Sequence, residues 1–157
     1  CAGRFAAKYV ANCNIPNLPA NASNAMAEIL RSKSGRNPEQ SVSPKILANE
    51  LKTLMWQNVG PFREGEQLAS ALERIREMRR RDLDELAVGG ETTFNTSLVE
   101  WFELRNGLLA AEAVVLSALG RKESRGAHQR IDFVEIKPDL QRPQIVSLEG
   151  DEMISAF

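Results

Sequence analysis

Three segments of the chain repeat apolar residues at intervals of three and four, which places them along one side of an α-helix. The first segment begins at Ser43-Pro44, where the serine can cap a helix and the proline fits its first turn, and it stops at Gly60-Pro61. The second covers residues 64–86, and the third begins at Asn95 or Thr96. The apolar stripes consist of Ile46, Leu47, Leu51, Leu54 and Met55; of Leu68, Leu72, Ile75 and Met78; and of Trp101, Leu104, Leu108, Ala111, Val115 and Leu119.

The third helix carries a second apolar stripe, which consists of Leu98, Phe102, Leu109, Ala113 and Leu116. A helix with two apolar stripes needs two neighbours, and the first two helices can supply them. Because the connections are short, we predict an up-down-up bundle of three helices in a mainly α fold. Gly107 lies between the stripes and costs about 1 kcal/mol relative to alanine, which predicts that another backbone approaches closely there.

The pattern changes on both sides of this predicted bundle, which covers residues 43–130. Residues 1–15 are alanine-rich and amphipathic, as at the end of a helix that belongs to a preceding domain, and residues 16–42 form a linker broken by Pro16 and Pro19. Residues 131–157 form a short C-terminal tail. Within it, residues 131–136 and 144–148 alternate apolar and polar side chains as strands do, and Gly150-Asp151 turns the chain into a further strand at 153–155.

The composition is that of an ordinary globular protein. The 157 residues are 43% hydrophobic and 26% charged with a net charge of −1, so neither nucleic acid nor an anionic membrane is an expected partner. The longest apolar run, residues 107–119, is interrupted by Glu112 and is too short to span a bilayer, and no segment resembles a signal peptide. We therefore expect a cytoplasmic location and no direct insertion into a membrane.

The first residue is Cys1 rather than methionine, which indicates a fragment or a processed product. A mature bacterial lipoprotein also begins with cysteine, but the helical pattern that follows Cys1 at once disfavours a polar tether. Cys1 and Cys13 are the only cysteines, and they do not make a disulfide framework in a chain of this length. With a single histidine as well, the chain alone predicts no metal site.

The second helix carries a run of arginines opposite its apolar stripe. This run suggests a phosphate or nucleic-acid patch, but interleaved carboxylates nearly neutralise it. A solvated helix face with i,i+4 ion pairs is therefore the favoured interpretation. The arginines are Arg74, Arg76, Arg79, Arg80 and Arg81, and the acids are Glu73, Glu77, Asp82, Asp84 and Glu85.

A polar run after the third helix holds the candidate chemistry. Its residues are Glu123, Ser124, Arg125, His128, Arg130 and Asp132, and His128 is the only histidine of the chain. One hypothesis is a general acid/base or an anion pocket, and the other is an interdomain salt-bridge cluster. We favour the second, because a helix C-terminus repels anions. Since no phosphate-binding glycine loop or activated nucleophile occurs, we predict no catalytic, cofactor-binding or metal residue in this chain. Trp56 and Trp101 are expected to be core or interface aromatics.

Three blocks of the chain resemble a known family. Residues 51–63, residues 68–78 and above all residues 94–132, with Glu-Ser-Arg-Gly-Ala-His, are similar to the C-terminal helical domain of the succinate dehydrogenase/fumarate reductase flavoprotein subunit. The resemblance implies a spectrin-repeat-like bundle docked on an upstream flavin-binding domain, whose last helix ends within residues 1–15. It also implies a full-length enzyme of electron transport that interconverts fumarate and succinate with FAD. An iron–sulfur subunit is the implied partner, at the inner face of the cytoplasmic membrane.

The resemblance leaves other assignments open. Val134 stands where the family usually has proline, and the tail from Glu135 onward departs from the family pattern. L-aspartate oxidase shares the Met-Trp turn and an Arg-Gly-x-His signature, and an adenylylsulfate reductase relative is a third candidate. A stand-alone helical interaction module and an enzyme that uses His128 are the hypotheses from other classes.

Overall fold

The structure is a computed structural model that describes residues 7–9, 11, 27, 42–89 and 94–157. The chain divides into two compact units, residues 1–32 and residues 33–157. In the first unit the described residues 7–9, 11 and 27 are helical. The predicted helix end at residues 1–15 and the predicted linker at residues 16–42 lie almost entirely outside the described residues, and these two predictions stay predictions.

The second unit contains the predicted three-helix bundle, and the mainly α fold class is confirmed. Helix α1 spans Pro44–Asn58. Helix α2 spans Gly65–Glu77 and continues through a π-helical turn at Met78–Asp82 into α3, Leu83–Glu85. Helix α4 spans Thr96–Gly120, and α1, α2 and α4 pack against one another in all three pairs. No helix among the described residues is both long and apolar enough to cross a membrane.

The helix starts are capped as the sequence predicted. The Ser43 hydroxyl accepts a hydrogen bond from the Lys45 N–H at 3.3 Å, and the Asn95 side chain accepts one from the Leu98 N–H at 2.9 Å. The Asn95 amide also donates to the Val88 carbonyl at 2.6 Å, which ties the start of α4 to the segment after α3.

The apolar stripes of α2 and α4 form the core. The whole α2 stripe is buried, and Trp101, which is 3% exposed, donates from its indole N–H to the Leu83 carbonyl at 3.1 Å. The first stripe of α4 is buried up to Val115, and its second stripe is only half-buried. On α1, Leu47 and Leu51 are buried, whereas Ile46 is 61% exposed and Trp56 is 82% exposed. The prediction that Ile46 belongs to the core stripe is wrong, because α1 faces the bundle through a narrower strip.

Gly107 does not mark a close approach of two backbones. A Cβ built on Gly107 would have the Leu51 Cδ2 atom as its nearest neighbour, at 3.7 Å, which is ordinary van der Waals contact. The close-approach prediction is therefore wrong, and the site has room for a methyl group.

Two small pairs of strands complete the unit. Strand β1, Phe62–Arg63, pairs in parallel with β2, Gln129–Arg130. Strands β3, Ile145–Glu149, and β4, Glu152–Ala156, form an antiparallel hairpin around Gly150 at φ +62°, which confirms the two later tail strands. Strand β4 packs on α4. The short 3₁₀ helix Pro138–Leu140 lies between β2 and β3.

The strand predicted at residues 131–136 does not form. The Phe133 N–H turns back to the Arg130 carbonyl at 3.3 Å, and the Glu135 carbonyl accepts from the Ser124 N–H at 3.2 Å. These backbone groups are used to close a loop over the end of α4, so they are not arranged in a ladder.

Two of the five α2 arginines point at a buried carboxylate. Glu112 of α4 is fully buried, and its oxygens lie 2.9 Å from the Arg76 Nε and 2.8 Å from the Arg79 Nε. Arg79 also donates to the Asp151 carbonyl of the β3–β4 turn. The predicted solvated face is wrong for Arg76 and Arg79. It holds for Arg81, which makes an i,i+4 ion pair with Glu77 at 2.8 Å.

Replacing Glu112 with alanine is expected to destabilise the fold strongly. The substitution would leave two guanidinium groups facing a dry space without their carboxylate, and breaking a buried ion pair costs about 3 kcal/mol or more. Urea unfolding measures the loss. The matched control is Glu103→Ala on the exposed side of the same helix, which is expected to change the free energy of unfolding by no more than about 0.5 kcal/mol. Equal effects of the two substitutions would show that the buried pair contributes nothing.

Replacing Gly107 with alanine is expected to stabilise the protein by about 1 kcal/mol, because alanine restricts the unfolded chain and suits a helix interior. Gly126→Ala is the contrasting variant. No atom lies within 4 Å of its added Cβ, but its φ of +58° strains any side chain, so it is expected to destabilise the protein. Thermal unfolding distinguishes the two signs, and a destabilised Gly107→Ala variant would contradict the space found beside Leu51.

Candidate functional site

The six predicted site residues lie together at the end of α4. They form what we term the signature cluster, which consists of Glu123, Ser124, Arg125, His128, Arg130 and Asp132. The structure adds Arg63 from β1 and Arg121, the residue that follows α4. The parallel pairing of β1 with β2 brings the two parts of the chain together.

Arg130 closes the C-terminal end of α4. Its side chain is almost completely buried, and it donates from Nη1 to the Ala118 carbonyl at 2.9 Å. It makes a two-pronged ion pair with Asp132, with Nε–Oδ1 at 2.7 Å and Nη2–Oδ2 at 2.6 Å. The carbonyls at the end of a helix lack partners within the helix, and a cation there also complements the helix dipole. Arg130 is therefore a structural cap.

Asp132 connects this cap to the start of α2. Its Oδ2 accepts a hydrogen bond from the Gly65 N–H at 3.1 Å. The bond from Arg130 lowers the pKa of Asp132 below its usual range, and the Gly65 N–H acts in the same direction. The carboxylate is thus charged at neutral pH and joins the end of one helix to the beginning of another.

Glu123 is a fully buried carboxylate whose oxygens are all used. Arg125 donates to both oxygens at 3.0 Å, Arg121 donates at 2.7 Å, and the Lys137 N–H donates at 2.8 Å. The hydrogen bonds from Arg125 are the main reason that the pKa of Glu123 falls to about 2, with help from Lys137 and Arg121 and against the effect of burial. Such a group stays ionised at neutral pH and is unsuited to proton transfer.

Ser124 is a buried hydroxyl without an adjacent base. It accepts a hydrogen bond from the Arg130 N–H at 2.8 Å and lies 3.1 Å from the Arg130 carbonyl and 2.9 Å from the Phe133 carbonyl. The hydroxyl proton goes to one of these two oxygens. Ser124 therefore fixes the loop that covers Arg130, and nothing in its surroundings would activate it as a nucleophile.

His128 is held as one neutral tautomer. Its Nδ1 lies 2.6 Å from the Arg63 Nη1, and its Nε2 lies 3.0 Å from the Arg121 carbonyl. Because a guanidinium only donates and a carbonyl only accepts, Nε2 carries the proton and Nδ1 accepts. Burial lowers the pKa of His128, and the charge of Arg63 adds to that shift, while the bond to the Arg121 carbonyl opposes it. Both ring nitrogens are occupied, which disfavours the acid/base hypothesis.

Sequence reasoning missed Arg63 and Arg121 as parts of the site. Arg63 donates from Nε to the Gly60 carbonyl at 2.9 Å, which fixes its direction after the turn. Arg121 donates to the Leu140 and Arg142 carbonyls at 2.9 and 3.1 Å and so fastens the loop before β3. The Gly-Pro-Phe-Arg turn was the available signal for Arg63. The pairing of that turn with residues near His128 has no signature in a single sequence.

The arrangement is a saturated polar junction that stabilises the fold. Within the described part of the chain, no group of three or more histidine, cysteine, aspartate or glutamate side chains could hold a metal ion. The cluster joins α4, the start of α2 and the loop before β3. The role of these six residues in docking to another domain stays a prediction.

Comparison with known proteins places this architecture in a family. A family model described as fumarate reductase flavoprotein C-term matches residues 48–144. The fumarate reductase (CoM/CoB) of Methanothermobacter marburgensis has a polypeptide that is 41% identical over 104 residues, which are 65% of this chain and 18% of that protein. An uncharacterised FAD-dependent oxidoreductase of Methanocaldococcus jannaschii is 36% identical over 138 residues, which are 88% of this chain and 24% of that protein.

A solved structure shares the fold over nearly the whole chain. The Mycobacterium smegmatis Sdh1 in complex with UQ1 gives a TM-score of 0.81 at 28% identity, covering 98% of this chain and 26% of that chain. A weaker match, the L-aspartate oxidase of Acinetobacter baylyi, is 38% identical over 62% of this chain. The chain spans about a fifth to a quarter of the length of the relatives it matches.

The Glu123 ion cluster is expected to make stability depend on pH in the acid range. The pKa is about 2 in the folded state and 4.5 for the free group, so the contribution is complete above about pH 4.5 and disappears as the pH falls toward 2. Glu123→Gln should therefore be less stable than the wild type at pH 7, and the difference should shrink at about pH 3. Urea unfolding at both pH values measures it. A difference that stays constant with pH would show that the charge of Glu123 does not contribute.

Proposed function

Because this chain belongs to the fumarate reductase flavoprotein C-terminal family, we propose that it is the C-terminal structural and docking domain of a longer FAD-dependent oxidoreductase. The full-length parent interconverts fumarate and succinate. The observation that carries this proposal is the internal saturation of the signature cluster. Its ionisable groups are paired with each other and with helix ends, as in a structural junction, and none is poised for proton transfer.

The FAD of the parent is held by residues outside the described ones. A dinucleotide diphosphate typically lies at a free helix N-terminus that follows a glycine-rich loop. The helix starts described here do not fit that group. Ser43 caps α1, Asn95 caps α4, and the Asp132 carboxylate occupies the start of α2, where a second anion would be repelled. The described residues therefore contribute no step of the flavin chemistry.

The parent works within a multisubunit complex, and its electron-transfer partner is an iron–sulfur subunit. Support comes from the Mycobacterium smegmatis Sdh1 structure, in which a chain with this fold belongs to a complex with UQ1. The parent lies in the cytoplasm, peripheral to the inner face of the membrane through its partner subunits. The domain itself contributes packing and contact surface.

L-aspartate oxidase is the second candidate for the parent. It is favoured by the shared Met55-Trp56 turn and by the 38% identity with the Acinetobacter baylyi enzyme. The match to fumarate reductase relatives covers slightly more of the chain at higher identity, so we rank fumarate–succinate interconversion first.

The test is made on the purified full-length parent. It is expected to contain FAD, to reduce fumarate with a reduced dye and to leave L-aspartate unoxidised. Oxidation of L-aspartate without fumarate–succinate turnover would favour the second candidate. A parent that contains no flavin would contradict both.

A variant of the parent distinguishes the structural role of His128 from a catalytic role. Glutamine can donate to the Arg121 carbonyl and accept from Arg63, so His128→Gln is expected to lower turnover less than about tenfold. General acid/base catalysis typically contributes 10²–10⁴-fold. A loss of about 100-fold without any change in melting temperature or FAD content would make His128 catalytic.

A further inference from the structure

A long apolar groove runs between α1 and α4 on the outside of the bundle. It has a volume of about 580 Å³ and is lined by Leu51, Met55, Trp56, Val59, Ala110 and Val114, among others. Trp56 is 82% exposed and Val114 is 46% exposed. Exposed tryptophan is costly to leave in water and is enriched at the energetic centres of protein interfaces.

The groove continues into a polar hollow beside the signature cluster. Val114 lines both spaces, and the hollow also contains Arg63, Ser117, Arg121, His128 and Gln144. Among the residues that the structure describes, no carboxylate lines either space. The surface therefore presents an apolar half and an electropositive half, side by side.

Arg63 is the unmatched charge of this surface. Among the described residues, no carboxylate forms an ion pair with it, and its hydrogen bonds go to the Val59 and Gly60 carbonyls and to neutral His128. Burial lowers the pKa of Arg63, and the charge of Arg130 lowers it further. Arg121 differs, because it is paired with Glu123. An anion placed beside Arg63 would relieve an existing electrostatic cost.

We propose that this groove and hollow together receive a segment of the flavin-binding part of the parent protein. An apolar side chain of that segment packs against Trp56, and an adjacent carboxylate pairs with Arg63. The inference rests on the proposed function, which supplies the occupant, and it specifies the surface that is used. Two features support that occupant: the relatives are four to five times longer than this chain, and the charge of the surface calls for an acidic partner.

Hydroxyl-radical footprinting of the FAD-loaded parent, without partner subunits, tests the apolar half. Trp56 is expected to be oxidised about tenfold more slowly than a freely exposed tryptophan, because the centre of an interface excludes water. Phe62 is the matched control, since it is also aromatic, is 74% exposed and lies outside the lining of the groove. It is expected to react at the rate of an exposed ring.

Carbodiimide coupling tests the polar half. In the parent, Arg63→Lys keeps a positive charge and provides an amine, which is expected to form an amide with an aspartate or glutamate of the flavin-binding part. Peptide mass spectrometry identifies that residue. If the variant does not fold, the footprinting comparison of Trp56 with Phe62 decides alone.

The outcomes separate this inference from the proposed function. Protection of Trp56 in the FAD-loaded parent supports it. Free oxidation of Trp56 in a parent that contains FAD and turns over fumarate overturns the inference and leaves the proposed function intact. Protection that develops only when partner subunits are added also overturns it and assigns the groove to them. A parent without flavin overturns both.

Discussion

The buried charge of Arg130 is the interaction on which the rest of the structure depends. The last carbonyls of α4 face the interior, where leaving them without donors would be costly, and Arg130 supplies a donor to Ala118. A buried guanidinium in turn requires a carboxylate, which Asp132 provides, and the same carboxylate caps the start of α2 through Gly65. One cation thus fixes the end of one helix, the start of another and the loop between them.

The sequence predicted what depends on local periodicity. The three helices, their caps at Ser43 and Asn95 and the buried stripes of α2 and α4 all follow from spacing that a single segment contains. The β3–β4 hairpin was predictable for the same reason, because Gly150-Asp151 separates two alternating runs.

The failures share one physical origin, since each depends on a partner distant in the chain. Glu112 looked like an interruption of an apolar run, and only the approach of α2 shows that Arg76 and Arg79 meet it. The alternation in residues 131–136 resembled a strand, but the loop closes over Arg130 instead. In the site, the sequence identified six residues that do lie together, yet it gave no role to Arg63 or Arg121. Alternation and charge balance contain no information about which segment comes to lie opposite.

A series of contacts carries rigidity from the buried junction to the surface. Glu123 holds Arg121, the Arg121 carbonyl orients the His128 ring, and the unprotonated Nδ1 of that ring receives Arg63. A surface arginine is normally mobile and loses conformational entropy when it binds, at about 0.5–1.5 kcal/mol per side chain. Arg63 has already lost that freedom on folding, because its Nε is fixed by the Gly60 carbonyl and its Nη1 by His128. The saturated signature cluster therefore acts on binding indirectly, since it holds one unpaired cation in place beside an apolar groove.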